Sequence, residues 1–467
     1  MAVLAKADPH GSNKTHRFFQ RALTITVSGL FALVLLSPSA FAQSLDEVLM
    51  RVNETNPELM AERESVKQAE ESIAIAKGER LPQAEASGTA GVIDTDIAGI
   101  DTGGTSEAYS VGLRVSKPLY TGGRINAAIR AATSMTNAAV ARIEAKEQSI
   151  FLETVTAYMD VIRDEPILAL NRRNISILKK RLAQIEDLRK SGRATLTDIG
   201  EMEALIAGAE AQEIQARGNL QASRSAFERL VGIVPGTLIA PTSVKGLPTS
   251  EEQATQWAAD QSPIVIAAQH AARAAADNVQ VERGARLPEV GLEGFALYGR
   301  STVFNSGVAN LLTTDDDFRG IGAVVRVRIP LFQGGIISAK TRRAEAQASQ
   351  RELQSMAAHR SVRDGVIRAW QALETAKSVM RARQAQIAAA ELALEGIRLE
   401  NSVGRRTNLD VLDAEQKLLD AQVMEIKAKR DWLVASYSVL AAIGRLTAKD
   451  LGLQAAEISR RSVAVSP

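Results

Sequence analysis

PLYTGG at Pro118–Gly123 returns as PLFQGG at Pro330–Gly335, an offset of 212 residues. At the same offset GRATLTDI from Gly192 matches GRRTNLDV from Gly404, and Gly232 in LVG matches Gly444 in AIG. Upstream the offset is 206: Asn56-Pro57 matches Ser262-Pro263, and GERLP from Gly78 matches GARLP from Gly284. The six-residue difference is an insertion between Pro288 and Pro330. Matches that recur in order and in register mark one supersecondary unit used twice.

Working outward from the two GG junctions, the period of the apolar residues changes on either side. Before them it is two. Tyr109, Val111, Leu113 and Val115 alternate with Ser110, Gly112, Arg114 and Ser116, and Ile321, Ala323, Val325, Val327 and Ile329 do the same in the second copy. Half-buried strands follow. Their upstream partners, 84–92 and 290–298, alternate more weakly, and Phe295 and Leu297 interrupt the polar side of the latter. The Gly-, Asp-, Thr- and Ser-rich stretches 93–106 and 301–317 read as hairpin loops, and the insertion falls in the second.

After the junctions helical periodicity runs from Arg124 to Lys190 and from Ile336 to Asn401. Each run reaches about 100 Å if continuous, far beyond a globular helix of about 12 residues. Leu373, Ala376, Met380, Ile387, Ala390, Leu394 and Ile397 keep a 3-4 spacing broken by Arg383; Leu409, Leu412, Leu419, Val423, Ile426, Leu433 and Leu440 continue it, broken by Gln416 and Arg430. Coiled-coil packing is expected. Pro166, with Ser378 as its counterpart, predicts a kink near 162–166 in the first copy only. Short helices at about 45–55 and 251–260 lead in each copy to helices started by Pro57 and Pro263.

The 467 residues contain no cysteine and four histidines, which excludes disulfides, thiol nucleophiles, lipidated N-terminal cysteines and a histidine metal cluster. Lys6, Lys14, Arg17 and Arg21 precede an apolar stretch from Ala22 to Leu36, and Ala40-Phe41-Ala42 completes a secretory signal cleaved before Gln43. Its removal brings basic and acidic side chains almost into balance, so nucleic acid is not an expected partner. Nothing after residue 42 is apolar enough for a spanning helix, which leaves the periplasm, the exterior or an outer-membrane barrel. The expected organisation is therefore a signal at 1–42, a first repeat at 43–249 (strand hairpin 83–118, helical hairpin 122–232), a second at 250–444 (strand hairpin 289–330, helical hairpin 334–444), and a tail at 445–467.

Four strands cannot close a membrane barrel, since about eight are needed to enclose a filled interior. The chain must oligomerise, and three copies supply twelve strands on one axis with the helices. The apolar side of each strand would face lipid, and Arg114, Arg326 and Arg328 with Ser110 would face a wet lumen. The fold class is thus mostly α with a transmembrane β-barrel, in an internally duplicated chain.

From about Ser44 to Gly444 these features resemble the TolC-type outer-membrane channel family, through the duplicated order of elements, the PLYTGG and PLFQGG junctions and the turn VGRRTNLDVLDAEQKL. The resemblance implies a homotrimer in outer-membrane lipid, with a twelve-stranded barrel and a long periplasmic helical tunnel. Its implied role is the exit duct of a tripartite export machine, in type I protein secretion or multidrug efflux. The implied partners are a periplasmic adaptor (membrane fusion) protein and an inner-membrane ABC or RND-type transporter; no cofactor is implied.

It also implies that the turns at 191–197 and 402–408 are periplasmic tips, with Gly192, Arg193, Gly404 and Arg405 where an adaptor docks. By that match Asp410 and Asp413 form a gate carboxylate ring, Arg406 is a basic latch residue, and Thr197 and Asp198 are its first-copy partners. The family's latch tyrosine aligns with Asn401, a departure. Independently of the resemblance, Asp410 and Asp413 share one helix face, and a threefold axis would gather their charge into a cation-attracting ring with a raised average pKa. The competing reading makes both ordinary helix-start carboxylates.

Other candidates have bland readings. Tyr158 and Trp370, at equivalent positions, read as packing residues; Asp315–Asp317 lacks the spacing of a calcium loop; His270 and His359 read as structural or surface residues. There is no nucleophile elbow, phosphate loop or HExxH motif, so no enzyme is expected. A pore-less periplasmic coiled-coil scaffold is the alternative, but it leaves the alternating strands and GG junctions without purpose.

Overall fold

The computed structural model describes residues 43–94, 105–301 and 317–453. The signal segment 1–42, most of both hairpin loops with Asp315 and Asp316, and the tail beyond 453 lie outside the described residues.

Each repeat opens with a capped helical pair. In α1 (Leu45–Thr55) Ser44 and Glu47 form a reciprocal capping box, and α2 (Pro57–Gly78) starts on Pro57 behind the Asn56 cap. Asn56 also donates through Nδ2 to the Leu230 carbonyl at 3.0 Å, tying this start to the far end of the repeat. The second copy has α5 (Glu251–Gln261) and α6 (Pro263–Gly284) in the same order.

The strands are β1 (Gln83–Asp94), β2 (Thr105–Tyr120), β3 (Glu289–Ser301) and β4 (Asp317–Arg328), in one antiparallel sheet ordered β1-β2-β3-β4. The copies therefore join through β2 and β3, and among the described residues the outer edges of β1 and β4 have no partner strand. Residues directly opposite in an antiparallel pair share a face. Arg114 stands opposite Glu85 and Phe295, and Phe295 opposite Gly322. One face thus carries Ser110, Arg114, Glu293, Arg326 and Arg328; the other carries Val111, Leu113, Val115, Leu292, Val325 and Val327.

Phe295 and Leu297, which weakened the reading of β3, lie on the polar face over glycines. A Cβ on Gly322 would come within 2.7 Å of the Phe295 ring, and one on Gly112 within 3.2 Å of Leu297. Their rings and methyls fill the space those glycines leave, a known device for pinning register.

Gly123 and Gly335, each at φ 80°, turn the chain from strand into helix, a backbone position that favours glycine. The helices α3 (Arg124–Lys190) and α7 (Ile336–Ser402) have 67 residues each and return as α4 (Leu196–Val231) and α8 (Asn408–Ala442). Pro166 lies inside α3, which continues as one helix on both sides. On α7 the heptad positions form the less exposed stripe, Leu373 and Leu394 being buried and Arg383 half-buried among them. Leu409 departs from the expected seam: it sits at the tip, 48% exposed.

The main core is equatorial. It gathers Leu49 and Val52 of α1, Phe151, Val155 and Tyr158 of α3, Phe227 of α4, Val366 of α7 and Leu433 of α8. Tyr158 is fully buried, and its hydroxyl lies 2.8 Å from the Gln43 carbonyl and 2.7 Å from that of Ile239, whose N–H donates to it at 3.0 Å. That side chain pins the start of the described chain to the segment joining the repeats. Trp370 packs against the same core, so both aromatic residues are packing residues. None of the described helices is long and apolar enough to cross a membrane.

Candidate gate at the paired helix turns

The two tips are built alike because the sequence repeats. Gly192 (φ 75°) and Gly404 (φ 78°) take the left-handed conformation that ends a helix. Behind them Arg193 N–H donates to the Leu188 carbonyl (2.9 Å) and Arg405 N–H to that of Glu400 (2.9 Å), which satisfies carbonyls the helix end would leave open. Two residues on, Thr195 and Thr407 cap the returning helices in reciprocal boxes with Asp198 and Asp410. The two boxes read TLTD and TNLD in the chain.

This geometry decides what Asp410 does within one chain. Its Oδ2 accepts from Thr407 N–H and Oγ1, both at 2.8 Å, while Oδ1 is 3.8 Å from the Arg406 guanidinium. These Thr407 hydrogen bonds, with a smaller contribution from Arg406, hold the Asp410 carboxyl below the usual carboxylate range. The ring argument predicted a raised pKa; locally, the capping bonds to the charged form pull the other way. Asp198 is lowered for the same reason, by Thr195 N–H at 2.7 Å and Thr195 Oγ1 at 2.9 Å.

Asp413 is different. It is exposed one turn further along α8 and makes no hydrogen bond or ion pair among the described residues. Of the two carboxylates it is the one whose charge is free for a ligand.

Arg406 turns back along its own hairpin. Its Nε donates to Glu400 at 2.9 Å, and that bond raises its already high pKa further. Within the chain Arg406 does not meet Thr197 or Asp198; Thr197 is exposed, its hydroxyl without a hydrogen bond among the described residues, and Asp198 faces Thr195. Asn401, at the position of the family's tyrosine, donates through Nδ2 to the Arg406 carbonyl (2.9 Å) and to Asn408 Oδ1 (3.3 Å), so it braces the turn. Glu400 went unnoticed in the sequence because its pairing crosses a turn and follows no helical spacing.

The two hairpins lean together below the tips. Leu412 of α8 packs on the cluster of Leu178, Met202 and Ile206, and Glu415 accepts from Arg398 at 2.7 Å with Arg181 at 3.7 Å. At the other end of the molecule Arg114, Arg326 and Arg328 share the polar sheet face, where Arg326 pairs with Glu293 at 2.8 Å. Among the described residues no group of His, Asp or Glu side chains could hold a metal ion. His359 meets Gln269 at 3.0 Å, and burial lowers the pKa of His270.

Comparison with known proteins fits this geometry. The family described as "Outer membrane efflux protein" matches residues 48–233 and 254–445, one block on each repeat. The outer membrane efflux protein BepC of Brucella suis is 31% identical over 436 residues, 93% of this chain and 92% of the relative. The alkaline protease secretion protein AprF of Pseudomonas aeruginosa is 26% identical over 457 residues, 93% and 91% of the two chains. The crystal structure of the outer membrane protein VceC of Vibrio cholerae superposes with a TM-score of 0.71 at 21% identity, over 86% of this chain and 96% of that one. At that identity the likeness speaks for the fold.

Proposed function

The chain belongs to the outer membrane efflux protein family, whose members are channels rather than enzymes, and on that premise we propose that it is the trimeric exit duct of a tripartite export machine. The observation that carries this reading is the sheet. Its charged face and its apolar face run through all four strands, and both outer edges lack a partner strand among the described residues. Such a sheet is stable in a bilayer only when closed, because unpaired backbone groups have no water there to bind. Three copies close it with the arginines inward and the aliphatic residues toward lipid.

The long hairpins then stand on the periplasmic side and end at the two capped turns. In this reading Asp410 and Asp413 line the entrance, with Arg406 beside them, and the Gly192–Arg193 and Gly404–Arg405 turns offer the surface on which a periplasmic adaptor packs. An inner-membrane ABC or RND-type transporter supplies cargo and energy. The name of BepC speaks for efflux and that of AprF for protein secretion; the duct serves either cargo, and secretion by a type I system is the favoured assignment.

Deleting the coding sequence from its host and restoring it tests the role. Loss of a secreted protein from the medium, restored by the intact chain, supports the type I assignment. Drug hypersensitivity alone moves the duct to efflux, and normal secretion together with normal drug tolerance would remove the export role.

A further inference from the structure

The two copies treat one space differently, where the short helix of each packs on its long one. In the first copy Leu49 and Val52 of α1, Leu59 of α2 and Phe151 of α3 are buried together in the equatorial core, each at most 1% exposed. The offsets of the repeat carry these four to Thr255, Ala258, Val265 and Arg363. Three of the replacements remove side-chain volume, and the fourth exchanges an aromatic ring for a charge. What is core in the first copy is a cavity of about 570 Å³ in the second, lined by those four residues and Val362 where α5, α6 and α7 meet. That size suits a small organic molecule.

The charges around the cavity are as particular as its shape. Arg360 and Arg363 stand one turn apart on one face of α7. Both are exposed, and neither makes an ion pair or hydrogen bond among the described residues. Their first-copy counterparts are Gln148 and Phe151, so both charges belong to the second copy alone. Glu252 of α5 is the acidic residue of the lining, and it pairs with neither arginine. Its own backbone N–H and Ser250 hold its carboxyl below the usual carboxylate range, so it stays ionised. His359, at the same rim, is engaged with Gln269 at 3.0 Å. Two positive charges against one negative favour an occupant with a single negative charge and disfavour cations and polyanions. Ala258, Val265 and Val362 supply apolar surface for the rest of it.

We propose that this cavity binds an amphiphilic organic monoanion, an aryl or alkyl carboxylate or sulfonate. Its charged end lies between Arg360 and Arg363, whose guanidinium groups make strong charge-assisted hydrogen bonds to such oxygens. Its apolar body takes the space that Leu49, Val52 and Leu59 fill in the first copy. The site is complete within one chain and is independent of the export role, so either can fail without the other.

Isothermal titration of naphthalene sulfonate into the purified full chain in a non-ionic detergent, with protein-free micelles as the blank, tests this. One saturable site per chain is expected, with a raised unfolding temperature at saturation. Thr255→Leu with Ala258→Val restores two first-copy side chains and should abolish binding without lowering the unfolding temperature, because it fills a cavity. Arg360→Gln with Arg363→Gln leaves the cavity open and should weaken binding at least tenfold. Naphthol, which has the body without the charge, and inorganic sulfate, which has the charge without the body, should each bind at least tenfold more weakly than the sulfonate. Since the chain has no cysteine of its own, Thr255→Cys reports access: a water-soluble maleimide should label it in the intact assembly, and the sulfonate should protect it. Absence of saturable binding to the folded chain, undiminished binding in the filled variant, or a Thr255→Cys that stays unlabelled without ligand would each overturn the site. Sulfate binding as tightly as the sulfonate would overturn the ligand class.

Discussion

Asp410 and Asp413 stand three residues apart, and their surroundings give them different work. Asp410 closes the cap of α8 and stays ionised below the usual carboxylate range because Thr407 donates to its charged form. Asp413 has no hydrogen bond or ion pair among the described residues. Neutralising Asp413 (Asp413→Asn) should therefore weaken cation selectivity and trivalent-cation block with little effect on the fold, whereas Asp410→Asn should do so while also loosening the first turn of α8. Hydrogen exchange at the α8 amides beside single-channel recording distinguishes them. Equal protection in both variants would remove the capping role, and unchanged selectivity in both would remove the pair from the lumen. The same cap has a pH sign. A depressed carboxylate contributes stability that is complete above its ordinary value near 4 and is lost as pH falls through the lowered one, so protection of that turn should survive to pH 4 and fade below it.

Among residues, the repeat positions and the helix-start placing of Asp410 were legible, because each follows from a short spacing; the capping bonds that Thr407 and Thr195 make emerge only in the structure. Glu400 beside Arg406, and the placing of Phe295 over Gly322, were not. Both depend on which segment the chain brings opposite another, and no spacing along one element encodes that.

At the level of elements, the equatorial core holds the two repeats in one body. Tyr158 is the clearest single support, since its hydroxyl joins Gln43 and Ile239 in a buried site and burial pushes its pKa up to about 12. Tyr158→Phe should cost about 1–2 kcal/mol, the scale of a buried hydrogen bond with partners left behind, read from thermal unfolding in detergent. A raised phenol pKa stabilises the fold fully below about 10 and progressively less as pH rises toward 12. Tyr437, also pushed up to about 12 by burial, adds to the same alkaline loss. An unfolding temperature that did not change between pH 9 and 11 would argue against this role. Beside that core Arg163 grips Asp164 through two bonds of 2.7 and 2.9 Å, Ser223 donates to Asp164, and Arg430 reaches Asp160 at 2.8 Å, so α3, α4 and α8 are joined by charge near Pro166.

The element boundaries were readable almost to the residue where glycine or proline punctuates the chain, as at Gly123, Gly335, Pro57 and Pro263. The join of β2 to β3 was not, because alternation shows that a strand has two faces and does not say which strand of the other repeat lies beside it. The hydroxyl of Tyr158 belongs to the same class: a packing residue was expected, and its bonds to two segments distant in sequence appear only in the fold.

For the molecule as a whole, the duplicated chain supplies four strands, a third of the twelve-stranded ring proposed above. Among the described residues the sheet has two open edges, Leu331 and Phe332 ahead of α7 are 91% and 89% exposed, and Asp413 near the tip has no ion pair or hydrogen bond. The proposed threefold closure around a conducting axis accounts for all three, whereas a pore-less scaffold leaves the two-faced sheet without purpose. The most direct measurement is single-channel conductance of the purified protein in a planar bilayer, with a trivalent cation added on the side of the helical tips. Small, cation-selective steps that the trivalent ion blocks, and that it blocks more weakly in Asp413→Asn, are the predicted result. A trimer verified in the bilayer that passes no current, either as the native chain or with Arg406→Ala and Asp413→Asn together, would contradict the account.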